Sequence, residues 1–342
     1  MATSTWRRTR RVRRLAVTVL LCTGPLPVGQ RTSRSEPNVR PAVAAIVDEV
    51  RRYSLVAIGE AHRNEQVHDF IVALLGNQAF LADGGDIVVE FGNARYQDLI
   101  DRYVAGETVA RTDLVHVWRD TVNILVWDAP VYERLFDTIR QVNQRRSPVS
   151  RLRVLLADPP IDWSTIHDRT AWERVAATRD RHAADVIDRD VLERGRHGLL
   201  IFGSSHVQHE GAFDRYGKPK RVRSPNLAEL LEAEHPGKTL FVLADASTTA
   251  FDNRMVGWHP PLLVRLKGTF VGDLHIGPPR MTPRLADLAD YLLYLGPTRL
   301  MTTSTPAATT YEDPDYMREL LRRDEIQGGA NTTELHRLMR GR

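Results

Sequence analysis

Ser54-Leu-Val-Ala-Ile-Gly59-Glu-Ala-His62 is the stretch on which the fold turns. Its apolar half shows no polar alternation, so it reads as a strand covered on both faces, the kind that builds parallel sheets. Leu199-Leu-Ile-Phe-Gly203-Ser-Ser-His206 ends on the same Gly-x-x-His signature, and Asp86-Ile-Val-Val-Glu90 ends on a carboxylate. In a mostly parallel sheet the carboxyl ends of the strands line the ligand crevice. His62, Glu90 and His206 are therefore placed to converge from distant parts of the chain. The signature alone is weak. Gly272-Asp-Leu-His275 also matches it, but no four-residue apolar run precedes it and prolines follow, so it reads as coincidence.

Working outward, unalternated apolar runs predict strands at 54–59, 86–91, 152–157, 198–203, 239–244 and 291–295. Between them, amphipathic stretches predict helices at 41–53, 65–82, 94–105, 113–121, 129–146, 168–195, 224–234 and 284–290; Val67, Phe70, Ile71, Leu74 and Leu75 share one stripe. Long connections between similar strands imply crossovers and parallel pairing. The expected fold is an α/β protein, a three-layer α/β/α sandwich with a mostly parallel sheet. Residues 41–300 read as a single domain. Within it, 94–146 is a helical insert over the strand carboxyl ends, and 245–285, rich in Pro and Gly, is a loop excursion. Residues 301–342 form a tail with a short helix around 314–325.

The 342 residues carry 47 Lys and Arg against 43 Asp and Glu, but the excess is local. Residues 1–40 hold nine Arg and one Glu, and the remaining chain is mildly acidic. That distribution gives no support to a nucleic-acid partner. Six arginines precede Leu15–Cys22, so 1–30 reads either as a signal-like segment or as a basic, disordered extension. The protein is exported in the first case and cytoplasmic in the second. Nothing else approaches the roughly 20 apolar residues of a transmembrane span. Cys22 is the only cysteine, which excludes an intramolecular disulfide and a thiolate metal cluster.

Each candidate side chain has a structural alternative. His62 falls where a strand hands over to a helix, whose N-terminus disfavours imidazolium and keeps a neutral base; the alternative is a capping or packing histidine. Glu60 and Arg63 flank it. His68, six residues on, shares no helical face with His62 and reads as structural or supporting. Glu90 sits among apolar neighbours, where a carboxylate must be paired or ligating. It either meets a buried arginine, orients a histidine, activates water, or holds a metal. Arg179 lies near the buried stripe of its helix, able to steady a tetrahedral transition state or merely solvated. Asp180 adjoins it, and Asp158 and Asp245 close two strands as supporting groups or loop caps. No Gly-x-Ser-x-Gly elbow, Walker loop, dinucleotide fingerprint or His-Glu-x-x-His helix is present.

Gly59-Glu-Ala-His62, Glu90, Arg179-Asp180 and Gly203-Ser-Ser-His206, in that order, resemble the superfamily containing erythromycin esterases, the ChaN haem-uptake lipoproteins and the Tiki/TraB proteins. The resemblance covers roughly residues 50–250. Trp118, Trp127 and Asn143 are similar to the esterase branch, whereas the run from Gly59 to His68, with Tyr96–Gly106 downstream, looks like ChaN. The esterase branch implies hydrolysis of an ester-like bond by a water that His62 or His206 and Glu90 activate, with Arg179 stabilising the oxyanion. The Tiki branch implies that His62, Glu90 and His206 hold Zn²⁺ or Mn²⁺. The ChaN branch implies haem or iron binding without catalysis, with His62, His68 and Tyr96 as ligand candidates. In each case the partner is a small molecule. Trp118, Trp127, Trp258 and Tyr96 either frame its entrance or pack the insert, and no feature specifies an oligomeric state.

Overall fold

Strands buried on both faces need a layer of helices on each side, and the chain supplies both. The computed structural model describes residues 38–83, 85–209, 224–244, 252–275 and 282–340. Eight strands form one sheet: β1 (Val39–Pro41), β2 (Leu55–Glu60), β3 (Asp86–Asn93), β4 (Val154–Asp158), β5 (Gly198–Gly203), β6 (Thr239–Leu243), β7 (Leu262–Arg265) and β8 (Tyr291–Tyr294). Their order is β1-β7-β8-β6-β2-β5-β3-β4. The run from β8 to β4 is parallel, and β7 and β1 join it antiparallel at one edge.

Alternation along each strand divides the core. Val56, Ile58, Val89, Phe91, Leu156 and Ile201 face helices Ala42–Val50, Glu65–Leu75, Gln97–Ala105 and Pro130–Asn143. Leu55, Ala57, Val88, Leu200, Phe202 and Phe241 face helices Arg179–Ile187 and Leu227–Glu234. The result is the three-layer α/β/α sandwich, with His62 and His206 both just beyond the ends of neighbouring central strands.

Four differences from the sequence reading have physical causes. Leu262–Arg265, inside the expected loop excursion, forms β7 at the sheet edge, hidden between prolines and Lys267-Gly268. It lies on the far side of β8 and β6 from β2 and β5, so this part of the excursion adds an edge strand. Val39–Pro41 is likewise too short to signal itself as β1. The expected helix over 168–195 is three pieces, Arg169–Ala176, Arg179–Ile187 and a π-helical turn at Asp188–Leu192. Finally, helix Pro314–Gln327 is followed by a second, Thr332–Arg340. Met317, Leu320, Ile326 and Leu335 from these helices build a third apolar cluster with Val122, Ile124, Leu125, Ile161 and Trp163.

The signal-like N-terminus, Asp245, and residues 245–251 and 276–281 of the excursion lie outside the described residues. Among the described residues no helix is long and apolar enough to cross a membrane.

Candidate functional site

The two signatures lie side by side, because β2 and β5 pair in parallel with Glu60 opposite Gly203. Each glycine makes room for the other's loop. A Cβ on Gly203 would stand 2.6 Å from His62 Cε1 and 3.2 Å from Glu90 Oε2. One on Gly59 would stand 2.9 Å from Val207 Cγ2 and 3.1 Å from the Ser204 Cα. Close approach, not backbone dihedral, explains both glycines.

Glu90, at the middle of the group, is saturated with donors. Its Oε1 accepts from Arg179 NH2 at 2.7 Å and faces His206 Nε2 at 3.2 Å, while Oε2 accepts from the Gly203 amide at 2.6 Å. Burial alone would raise its carboxyl, but His206, Arg179 and His62 outweigh burial and hold it well below the usual range. Arg179 spans two strand ends, its Nε donating to Asp158 Oδ1 at 2.9 Å. Asp158 also accepts from the Val122 amide at 2.6 Å. Burial pushes Asp158 up to about 6, since it shares one guanidinium with Glu90 and feels that neighbour's negative charge. On its other side His206 meets Asp180, Nδ1 to Oδ1 at 2.6 Å. Burial opposes protonation there, yet Glu90 and Asp180 together raise the imidazole to about 9. Between these groups is a cavity of about 10 Å³ lined by Asp158, Arg179, Phe202 and His206, the size of a single water molecule.

His62 belongs to a second carboxylate. Glu60 is buried at the end of β2, with Oε1 3.2 Å from His62 Nδ1 and Oε2 2.8 Å from His68 Nε2. Those bonds overcome burial and keep the Glu60 carboxyl below its ordinary value. His62 shifts upward: burial disfavours its charge, but the Glu60 bond and the Glu90 charge win. The neutral imidazole expected from a helix N-terminus is thereby corrected, because a full carboxylate in contact outweighs a helix dipole of about half a charge. The Trp127 ring packs edge-on against His62, centroids 4.6 Å apart.

Residues after His62 are strapped in place. Arg63 adopts a left-handed φ of 68°, which costs a non-glycine residue energy unless its surroundings enforce it. Its amide donates to Tyr132 Oη at 2.8 Å and its NH2 to the Leu125 carbonyl at 2.8 Å. From the far end of the chain, the Ser304 amide donates to the Arg63 carbonyl at 2.7 Å, and the Glu65 amide donates to the Thr302 carbonyl at 3.0 Å. Thr302 and Gln66 complete the strap with two bonds of 2.8 Å. Sequence reasoning missed this contribution of the tail, which carries no motif.

His62, Glu90, Arg179 and His206 thus come together, with Glu60, Asp158, Asp180 and His68 in contact with them. The proposed metal set does not fit. Both Glu90 oxygens already accept hydrogen bonds, one from a guanidinium that occupies the place of a cation, and both His206 nitrogens face carboxylates. Among the described residues no three His, Cys, Asp or Glu side chains are arranged to hold a metal ion. The haem set does not assemble either. His68 is fully buried, and Tyr96 donates to Asp120 Oδ2 at 2.8 Å while its ring stacks on His116. Trp118 and Trp127 are core residues. Trp258 packs edge-on against Tyr294. His275, of the coincidental signature, faces the Thr282 carbonyl at 2.7 Å.

No family model and no curated protein matches the chain. Solved structures do. A succinoglycan biosynthesis protein aligns with a TM-score of 0.55 at 8% identity, covering 80% of this chain and 97% of its own. A Bacillus cereus protein aligns with a TM-score of 0.50 at 12% identity, covering 78% and 93%. ChaN of Campylobacter jejuni, a structure with cofacially bound haem, aligns with a TM-score of 0.40 at 15% identity, covering 73% and 90%. At these identities the likeness is one of fold.

Proposed function

We propose that the chain is a hydrolase of the erythromycin-esterase type, attacking an ester-like bond of a small molecule with a water that His62 activates. The observation that carries this reading is the state of the His62 ring. Its Nδ1 is fixed on buried Glu60, its side chain is 37% exposed, and among the described residues Nε2 has no hydrogen-bond partner. That is the arrangement of a general base whose tautomer is set by a carboxylate behind it. In the neutral ring Nδ1–H donates to Glu60, so Nε2 is the acceptor for the water proton. The imidazolium formed is then stabilised by Glu60.

Arg179 supplies positive charge for the developing oxyanion. Its Nε and NH2 hold Asp158 and Glu90, and among the described residues NH1 takes no hydrogen-bond partner. His206 has both nitrogens on carboxylates, so it acts by keeping Glu90 ionised and in place beneath His62. This revises the division of labour: Glu60, not Glu90, orients the base. Assay of purified protein against aryl esters and lactones tests the reading. Hydrolysis lost in His62→Ala supports it, and a full rate in that variant overturns it.

A further inference from the structure

A second cavity lies away from these residues. It has a volume of about 670 Å³, within the range of small-molecule sites, and separates the Arg111–Asp120 stretch from residues 307–323. Its chemistry is lopsided. Each carboxylate in its wall already has a protein donor. Asp120 accepts from Tyr96 and Arg323 at 2.8 Å each and faces His116 Nδ1 at the same distance. Glu319 holds Arg322 and Arg323, Asp313 takes two amides of its helix, and Asp315 pairs with Arg318.

The donors are only half used. Among the described residues, Arg111 is anchored through Nε and NH2 on Glu133, leaving NH1 without a partner. Arg119 is anchored through Nε on Asp128 and packed over the Tyr316 ring, leaving NH1 and NH2 without a hydrogen-bond partner among the described residues. His116 turns Nδ1 to Asp120, and among the described residues its Nε2 takes no hydrogen-bond partner, nor do the hydroxyls of Thr112, Thr309 and Thr310. Each long side chain is thus held by one edge, which removes much of the entropy a ligand would otherwise cost. Around His116, Arg119 and Thr112 the donors are open while the facing carboxylate, Asp120, is bonded on both oxygens, which defines the complement: an acceptor-rich, anionic group.

We propose that this cleft binds a small molecule through a compact oxyanion, a carboxylate or phosphate, seated on His116, Arg119 and Thr112. Tyr96 then has a defined place, stacked on His116 and bonded to Asp120 behind it. Asp120 stays ionised, held down to about 2: burial would raise it, but His116 and Arg323 prevail. Its charge keeps His116 a donor.

The test is direct binding to the full-length protein, followed by the ring NMR signals of His116. Inorganic phosphate and malonate serve as separate probes, with chloride as the control. Saturable shifts are expected with phosphate, malonate or both, and which of them saturates distinguishes the two sources of the oxyanion. His116→Gln, which keeps the helix, should weaken binding about tenfold or more, and Thr112→Val by a few-fold. Shifts that never saturate, or that chloride reproduces, overturn the proposal. So does affinity unchanged in both variants, measured by calorimetry. The readout is binding alone, so its failure and that of the hydrolase reading are distinguishable.

Discussion

His62 and His206 follow the same sequence signature, at the ends of adjacent parallel strands, yet they live in different electrostatic worlds. His62 has one carboxylate at its back and an open nitrogen. His206 is clamped between two carboxylates, with a side chain only 17% exposed and an imidazole raised to about 9. The signature positions a ring, and its neighbours decide what the ring does. In the proposed mechanism one histidine moves a proton and the other holds a charge in place.

The sharpest way to break that contrast is to remove each ring in turn. His62→Ala should lower kcat by about 10²–10⁴-fold, the contribution of a general base, with a smaller fall in the urea midpoint than in His206→Ala, because Glu60 keeps His68 on its other oxygen. His206→Ala should do the reverse in part, costing about 3–5 kcal/mol of stability because it strips a partner from buried Glu90. Equal loss of stability in both variants would erase the distinction. Next in size, Glu60→Gln should cut kcat by about tenfold or more and shift the rising limb of the pH profile toward acid. Removing the anion lets the His62 proton leave at lower pH.

The two rings also divide the pH axis. Activity should rise as His62 loses its proton, above the ordinary histidine value of 6.5, and decline through about 9 as His206 loses its own. Stability carries the same sign for His206. Its folded value lies above its unfolded one, so its contribution is complete below 6.5 and is lost as pH rises through about 9. Urea midpoints measured from neutral to alkaline pH should fall across that window, and less so in His206→Ala. The smallest expected effect concerns metal. Exhaustive dialysis against EDTA should leave hydrolysis within error of the untreated rate, since Glu90 has no oxygen to spare. A chelator-sensitive rate restored by Zn²⁺ would return Glu90 to the role of ligand.

The sandwich was legible because five strands are wholly buried and so carry unbroken apolar runs. Strand-end residues were legible for the same reason, since burial makes a lone Glu90 conspicuous. What failed to show were interactions whose meaning lies in the partner. Glu60 looks like a residue beside His62 until His68 is found on its second oxygen. Helix Pro314–Gln327 reads as a solvated charged face, but Arg323 and Asp324 point inward, to Asp120 and to Asn331 and Thr332. A charge pattern cannot announce that its counter-charge is two hundred residues away.

The strap across Arg63–Gln66 gives the site a date in the life of the chain. Gln66 and Thr302 are 236 residues apart. Contacts of such separation are assembled late, after loop closure over nearly the whole domain, and synthesis runs from the amino end. On the ribosome every strand of the sheet is therefore made before the turn behind His62 receives its last hydrogen bonds. A nascent or prematurely ended chain can own both signatures and the whole sheet and still lack the backbone bonds that hold the turn after His62. Readiness thus waits on Thr302 and Ser304, which are made after the last strand.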